Sequence, residues 1–203
     1  IVCGGGTSGL PAAVAAARTG ANVAIVERYG FLGGNAAYSI MPCWHGIEEH
    51  HCGLLTEFAK SVEDFGVGPS PLKEGDHIEP EAVKILFQTM ADEQKVHLYL
   101  HHFITGVVMD GNRVAGVVTE SKSGRRVFGA KCFVDASGDG DLCFHAGAKF
   151  NLGTEGKTQG MSLRFRVGYI HFDQFADWAE TQPDELNLKR LVQGVRNGGG
   201  KAS

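Results

Sequence analysis

The sequence predicts an α/β fold in which a parallel sheet is combined with an antiparallel β-meander. Two observations support this prediction. Residues 1–26 show the succession of strand, glycine-rich turn, alanine-rich helix and apolar strand, which is a βαβ unit. Residues 104–128 contain three short strands, and the segments that join them, residues 110–112 and 121–124, are typical of hairpin turns.

Composition limits the size of the fold and the classes of partner. The chain has 203 residues, of which 43% are hydrophobic, and a formal net charge of −4, which allows a substantial core in one or two domains. The lack of a basic stripe argues against nucleic acid, and no apolar run approaches the roughly 20 residues of a membrane span. The five cysteines form no C-x-x-C pair, which favours free thiols in a reducing compartment, so we expect a cytoplasmic location.

Each element follows from its apolar pattern. Pro11 is acceptable inside the first helix because it falls in the first turn, and the continuous apolar run Val23–Val26 is typical of a parallel strand covered on both faces. Further helices follow from apolar residues at helical spacing. The predicted strands are Ile1–Cys3, Val23–Val26, His97–Leu100, Ile104–Met109, Val114–Glu120, Arg126–Phe128, Ala130–Val134 and one within residues 161–170. The predicted helices are Leu10–Thr19, Leu54–Phe65, Pro80–Gln94, Leu142–Ala146 and Phe172–Thr181.

The turn after the first strand has the spacing G-x-G-x-x-G. Gly4 would make the tight turn, Gly6 would let the backbone approach a pyrophosphate, and Gly9 would let the helix pack on the strand. Glu27 ends the second strand, 18 residues after Gly9, where a carboxylate can accept hydrogen bonds from an adenosine ribose. The sequence therefore predicts a Rossmann-like dinucleotide-binding fold.

Two further features favour a flavin over a nicotinamide dinucleotide. Gly33 and Gly34 follow Glu27 closely, where the loop of a flavoprotein passes near its cofactor. The meander and the sequence DASGDGD, at residues 135–141, come long after Val26. A plain nicotinamide-binding domain would instead reach its third strand by a short crossover.

In these segments the chain resembles the FAD-dependent oxidoreductases of the glutathione reductase and fumarate reductase type, which have two dinucleotide-binding domains. The resemblance covers much of residues 1–148 and includes the sequences ERYGFLGGN and DASGDGD. It implies that FAD is the cofactor, with its pyrophosphate on the glycine turn, its ribose on Glu27 and its adenine near Arg28 and the Ile104 backbone. The FAD-binding residues that it implies are Gly4, Gly6, Thr7, Ser8, Gly9, Glu27, Arg28, Gly33, Gly34, Asn35, Ile104, Ser137, Gly138 and Asp139.

The resemblance also implies a domain organisation. Residues 1–150 would form the FAD-binding domain, with a mostly helical excursion at residues 48–95. Residues 151–203 would begin a substrate domain that is cut off. The first strand lacks its usual beginning, and the family's Gly-Asp contact near the C-terminus has no counterpart, so we expect an N-terminal fragment.

Two segments suggest metal ligands, but we predict no metal site. The cysteines and histidines of PCWHGIEEHHCG match no closed zinc pattern. DASGDGD begins like a calcium-binding EF-hand loop, but the twelfth position is Ala146 where that loop needs glutamate. Asp141 is instead interpreted as the N-cap of the helix that follows.

Catalytic residues are harder to assign. His45 follows the two glycines of the second loop and is the candidate acid/base near the flavin N5; the alternative, that it is a packing or solvent-exposed histidine, stays open. Covalent flavin attachment also stays open. Arg164 and Arg166 could bind a substrate carboxylate or form a solvated strand face.

The expected function is that of an FAD-dependent oxidoreductase that transfers a hydride between flavin N5 and a small organic substrate. We expect that substrate and an electron acceptor of unknown type as partners, and no nucleic acid. Three alternatives stay open: an NAD(P)-binding dehydrogenase, a flavoprotein that uses FAD without net redox turnover, and a non-catalytic adenine-nucleotide-binding module.

Overall fold

The computed structural model describes residues 1–40, 53–66, 78–161, 163–164, 168–182 and 192. The chain divides into two compact units, Ile1–Ser162 and Leu163–Ser203. In the described residues, no helix has the length and apolar character needed to cross a membrane. The assignment of the residues after 150 to a substrate domain stays a prediction.

The first unit contains all seven strands of the described residues and four α-helices. In chain order its elements are β1 (Val2–Cys3), α1 (Gly9–Arg18), β2 (Ala24–Val26), a short 3₁₀ helix (Gly34–Ala36), α2 (Gly53–Phe65), α3 (Pro80–Glu93), β3 (His97–Tyr99), β4 (Phe103–Asp110), β5 (Arg113–Ser121), β6 (Gly124–Gly129), β7 (Val134–Asp135) and α4 (Asp141–His145).

Four of the strands form a parallel sheet in the order β3-β2-β1-β7. Val2 of β1 lies opposite Ile25 of β2 on one side and Val134 of β7 on the other. Because the strands are parallel, their carboxyl ends meet at one edge of the sheet, which is the edge where α/β proteins bind their ligands. The predicted α/β fold, with a parallel sheet and a meander, is confirmed.

A single apolar core joins this sheet to the helices. Leu10 and Val14 of α1 are fully buried against it. Helices α2 and α3 contribute to the same core, where the rings of Phe58 and Phe87 pack edge to face with centroids 5.2 Å apart. Burial of a side chain such as Phe87 stabilises the fold by about 1.5–3 kcal/mol.

The antiparallel meander has the strand order β4-β5-β6. Its turns contain Gly111 with φ +61° and Gly124 with φ +95°, which are left-handed conformations that glycine adopts without strain. Ile104 and Val117 of the meander are buried with Cys3 of β1 in a second apolar cluster. This cluster holds the start of β4 against the strand that leads into the glycine turn.

One strand prediction is wrong. The apolar segment Ala130–Val134 was expected to be a strand, but β7 contains only Val134–Asp135, because its partner β1 is itself two residues long and ends at the glycine turn. The strand expected within residues 161–170 lies partly outside the described residues, and the residues of that segment that are described are not in a strand. Strand β3 lies beside β2, so the segment that leads into DASGDGD supplies the fourth strand of the parallel sheet in chain order.

The second unit contains helix α5 (Phe172–Glu180), close to the predicted bounds. Its buried residues Ala176 and Ala179 pack with Val192 in a small cluster of their own.

Candidate cofactor-binding site

A cleft opens where the glycine turn, the end of β2 and the turn after β7 come together. Twelve of the fourteen predicted FAD-binding residues line it, and Gly9 and Gly33 do not. Seven lining residues were not predicted. The full lining is Gly4, Gly6, Thr7, Ser8, Val26, Glu27, Arg28, Tyr29, Gly34, Asn35, Tyr38, His102, Phe103, Ile104, Ala136, Ser137, Gly138, Asp139 and Asp141.

The glycine turn touches the two other loops so closely that side chains would clash there. Gly4 has φ +102°, and a Cβ at this position would lie 2.3 Å from the carbonyl oxygen of Ala136. Gly34 has φ +51°, and its Cβ would lie 2.8 Å from Cα of Gly6. A Cβ at Gly6 itself would meet only Gly34 at an ordinary 3.5 Å. The first two positions therefore need glycine for the fold, whereas Gly6 is small where the cleft needs space.

The two predicted glycines outside the lining support the turn from behind. A Cβ at Gly9 would lie 1.9 Å from the carbonyl oxygen of Gly4, so only glycine lets α1 begin this close to the turn. The Gly33 N–H donates a hydrogen bond to the Gly5 carbonyl oxygen at 2.9 Å. Gly33 thereby ties the second loop to the first.

Backbone donors are available where the sequence predicts a pyrophosphate. Within the described part of the chain, the N–H groups of Gly6, Thr7 and Ser8 donate to no acceptor. Thr7 and Ser8 are exposed, and all three residues line the cleft. A turn of unpaired N–H groups at the start of a helix is suited to bind an anion.

Glu27 is buried beneath the turn, with an exposed fraction of 6%. Its Oε2 accepts a hydrogen bond from Gly5 N at 2.7 Å, and its Oε1 accepts one from Tyr29 N at 2.8 Å. Each carboxylate oxygen can accept a second hydrogen bond. Glu27 therefore fixes the glycine turn and retains capacity to accept hydrogen bonds from ribose hydroxyl groups.

Arg28 and Asp139 come from opposite sides of the cleft. Arg28 Nη1 lies 3.7 Å from Asp139 Oδ2, and both side chains are substantially exposed. The guanidinium of Arg28 also lies over the ring of Tyr29, 4.9 Å from its centroid. A loose, exposed ion pair of this kind contributes little to stability, so Arg28 can change partners at small cost.

Asp135 organises the turn after β7. Its Oδ1 accepts hydrogen bonds from Ser137 N at 3.1 Å and Ser137 Oγ at 2.7 Å, and its Oδ2 accepts one from Cys143 N at 2.8 Å. Partial burial alone would raise the pKa of Asp135, but the hydrogen bonds from Cys143 and Ser137 outweigh it, and the pKa is lowered.

The interpretation of Asp141 as an N-cap is wrong. Gly140 occupies the N-cap position of α4 and Asp141 is the first residue of the helix. The hydrogen bonds to the helix start come from elsewhere, because Ser137 Oγ accepts from Asp141 N at 2.8 Å and Asp135 accepts from Cys143 N. The spacing of DASGDGD does not reveal this, because the side chains that accept these hydrogen bonds, Asp135 and Ser137, are separated from the helix by Gly140 in a left-handed conformation.

The unpredicted lining residues are neighbours of predicted ones. The rings of Tyr29 and Tyr38 stack with centroids 4.3 Å apart. His102 precedes Ile104 at the start of β4; its Nδ1 lies 2.8 Å from the Leu100 carbonyl oxygen, and its Nε2 is buried without a partner in the described residues. Tyr29 and His102 are close in sequence to the predicted residues Glu27 and Ile104, and this indicates that they lie near the cleft. Nothing in the sequence indicates that Tyr38 stacks on Tyr29.

Some candidate residues lie outside the described residues. These include His45, the cysteines and other histidines of PCWHGIEEHHCG, and Arg166. In the ranges that the structure does describe, no cluster of three or more histidine, cysteine, aspartate or glutamate side chains could hold a metal ion.

A second cavity lies between α1, α2 and α3. It is mostly apolar, and Thr7 lines both it and the cofactor cleft. Its other lining residues are Leu10, Pro11, Leu54, Leu55, Phe58, Phe87 and Met90.

The cleft has the chemistry that a dinucleotide requires. It combines free backbone donors for a pyrophosphate, a buried carboxylate for a ribose, and glycines at the points of closest approach. Residues 1–198 match the family described as FAD dependent oxidoreductase. The chain belongs to this family. FAD is therefore its cofactor, and the prediction of FAD from the second loop and DASGDGD is confirmed.

Solved structures show the same fold. A flavoprotein/dehydrogenase from Cytophaga hutchinsonii is similar with a TM-score of 0.56 and 18% identity, over 76% of this chain and 43% of that one. L-proline dehydrogenase from P. horikoshii has a TM-score of 0.51 and 17% identity, over 74% and 56%. The flavin-dependent brominase Bmp2 has a TM-score of 0.52 and 17% identity, over 67% and 37%.

These similarities show the fold of the chain and leave its reaction open. The chain spans less than two thirds of the length of each of the three proteins. No curated protein sequence matches it.

Proposed function

We propose that this FAD-dependent oxidoreductase oxidises or reduces a small organic substrate, with FAD bound in the cleft beside the glycine turn. The main support for this proposal is that the glycine turn, Gly34 and Glu27 line one cleft. The chain that forms this cleft belongs to the FAD dependent oxidoreductase family. Bound FAD would supply the hydride acceptor or donor at its N5 atom.

The residues of the cleft would bind and orient this cofactor. The N–H groups of Gly6, Thr7 and Ser8 would donate to the pyrophosphate. Glu27, already held by two backbone N–H groups, would accept hydrogen bonds from the adenosine ribose. The remaining lining residues would enclose the ligand: Gly4, Arg28, Gly34, Asn35, the Ile104 backbone, Ser137, Gly138 and Asp139.

His45 would be the acid or base that transfers a proton at the flavin. A histidine with an unperturbed pKa of about 6.5 can serve as an acid or a base near neutral pH. The variant His45→Gln should then keep its FAD and lose the limb of the pH–rate profile that histidine sets. An unchanged pH profile would show that His45 does not have this role.

The redox proposal is tested under anaerobic conditions with the purified flavoprotein. One arm follows the visible absorption of the oxidised flavin while small organic donors are added. The other arm reduces the flavin chemically and adds small organic acceptors. Bleaching in the first arm or recovery of absorption in the second supports the proposal. If FAD is bound but neither change occurs across the substrate classes, the cofactor does not exchange a hydride with a small organic substrate.

A further inference from the structure

Asp141 differs from the carboxylates around it because, within the described residues, it has neither a hydrogen-bond donor nor an ion-pair partner. Glu27 accepts two backbone N–H groups, and Asp135 accepts three donors. Asp139 is mostly exposed and pairs with Arg28. Asp141 is half-buried and lines the cleft, yet in the described ranges of the chain no N–H or O–H group donates to its carboxylate.

A partly buried carboxylate without a donor is unfavourable in the free protein. Burial raises the pKa of Asp141, the nearby Asp139 raises it further, and Arg28 only partly opposes them. Both effects show that the surroundings provide too little positive charge or hydrogen bonding for the ionised form. Groups of this kind in clefts are typical of ligand sites.

The charges around the cleft indicate which part of the ligand Asp141 faces. Three carboxylates of the described residues line it, Glu27, Asp139 and Asp141, and Arg28 is the one arginine. The negative charge of the pyrophosphate would repel the carboxylate of Asp141 if the two were close together. Asp141 must therefore face an uncharged donor of the ligand and not its phosphates.

The adenosine half of FAD offers two kinds of donor. The ribose hydroxyl groups are the ligands proposed for Glu27. The exocyclic amino group of adenine remains, and Asp141 belongs to the same turn as Ser137 and Asp139, to which it is fixed by the hydrogen bond from its N–H to Ser137 Oγ at 2.8 Å. The turn is close to Arg28, which the resemblance places near adenine, since Asp139 Oδ2 lies 3.7 Å from Arg28 Nη1.

We propose that Asp141 recognises the adenine of FAD by accepting a hydrogen bond from its exocyclic amino group. The proposal rests on the FAD site and not on the redox reaction, so either can fail without the other. It makes Asp141 a specificity-determining residue for the base, because it accepts a hydrogen bond from an amino group and repels a carbonyl oxygen at the same position.

The test compares FAD with its analogue in which hypoxanthine replaces adenine. That analogue carries a carbonyl oxygen where adenine carries the amino group. The two dissociation constants are measured by flavin fluorescence with the apoprotein of the wild type, Asp141→Ala and Asp141→Asn. FMN, which has no adenosine, reports whether each variant retains its fold and the rest of the site.

The wild type should bind FAD at least about tenfold more tightly than the hypoxanthine analogue, because that analogue leaves a carboxylate unpaired beside an oxygen. Asp141→Ala should lose most of this preference. Asp141→Asn should bind the analogue more tightly than the wild type does, because its amide N–H can donate to the carbonyl oxygen. A purely structural role would not produce this gain.

Asp110→Asn is the matched control, since it removes an exposed carboxylate at the far end of β4, away from the cleft. It should keep the preference of the wild type. The proposal is overturned if the wild type binds both dinucleotides equally, or if Asp141→Ala retains the preference. If Asp141→Ala loses affinity for both dinucleotides equally, Asp141 contacts the ribose and not the base, and this result also overturns the proposal.

Discussion

Glu27 Oε2 accepts a hydrogen bond from the backbone N–H of Gly5 across 2.7 Å in the buried floor of the cleft. The ribose carboxylate and the pyrophosphate turn are therefore one unit, although 22 residues separate them in sequence. A change in the position of Glu27 would move the turn, and the turn carries the N–H groups that face the cleft.

Replacement of Glu27 by glutamine tests this coupling. The amide nitrogen of Glu27→Gln would face one of the two backbone N–H donors, from Gly5 or Tyr29, and leave it unpaired. We expect the free energy of unfolding to fall by about 1–3 kcal/mol, and FAD affinity to fall with it. Urea denaturation and FAD titration measure the two effects.

The control for that prediction is Glu57→Gln, which breaks the exposed pair with Arg18. Because water screens that pair, its loss should change stability little and FAD affinity not at all. Equal losses in the two variants would show that the bond between Glu27 and Gly5 has no special importance.

Gly34→Ala should destabilise the protein by two separate effects. It places a side chain at φ +51° and puts a Cβ 2.8 Å from Cα of Gly6. The first costs about 1–2 kcal/mol, and the backbone contact adds about 1–3 kcal/mol. Gly111→Ala isolates the first effect, since Gly111 has φ +61° and open space around its Cβ. If thermal unfolding shows the same loss for both, the loops do not need this close contact.

The pH dependence of stability should contain a contribution from Asp135. Its pKa is lowered in the folded protein, so its hydrogen bonds stabilise the fold fully above the unfolded pKa of about 3.9 and are lost as the pH falls through the folded value. Asp135→Asn should therefore be less stable than the wild type at pH 7, and the difference should shrink below about pH 4. A difference that is constant over this range in urea denaturation would contradict the assignment.

The cysteines of the described residues should differ in reactivity. Burial raises the pKa of the Cys3 thiol to about 12, and Asp135 adds to the effect. A hydrogen bond with Asp135 raises the pKa of Cys143, whereas Cys132 is exposed. Alkylation near pH 8, mapped by mass spectrometry, should modify Cys132 first, Cys143 more slowly, and Cys3 only after unfolding. Rapid labelling of Cys3 in the native protein would show that β1 is not packed as described.

The βαβ unit could be predicted from the sequence because its determinants are local. Gly4, Gly6 and Gly9 have spacing that the turn requires, and Val23–Val26 is apolar throughout. The start and length of β7 could not be predicted in this way, because they depend on pairing with β1, which is distant in sequence. The contact of Gly34 with Gly6 is likewise a tertiary contact, although the resemblance placed both residues at the cofactor.

The hydrogen bonding of the carboxylates in the cleft could not be predicted from the sequence either, because it also depends on tertiary contacts. DASGDGD contains three aspartates, but the sequence does not show that Asp135 accepts three hydrogen bonds while Asp141 has no donor in the described residues. The chain turns through left-handed conformations at Gly138 and Gly140, and the backbone N–H of Cys143 in α4 donates to Asp135. Residue type and spacing identified the segment, and three-dimensional structure was needed to separate the roles.

The FAD content of the purified protein tests the central claim most directly. A side chain at Gly6 would meet Gly34 only at an ordinary distance of 3.5 Å but would project into the cleft. The wild type and the control Gly160→Val, whose side chain enters open space, should carry FAD visible in the absorption spectrum. Gly6→Val should retain its circular dichroism spectrum and lose the flavin absorption. Full FAD content in folded Gly6→Val would contradict the assignment of this cleft as the FAD site.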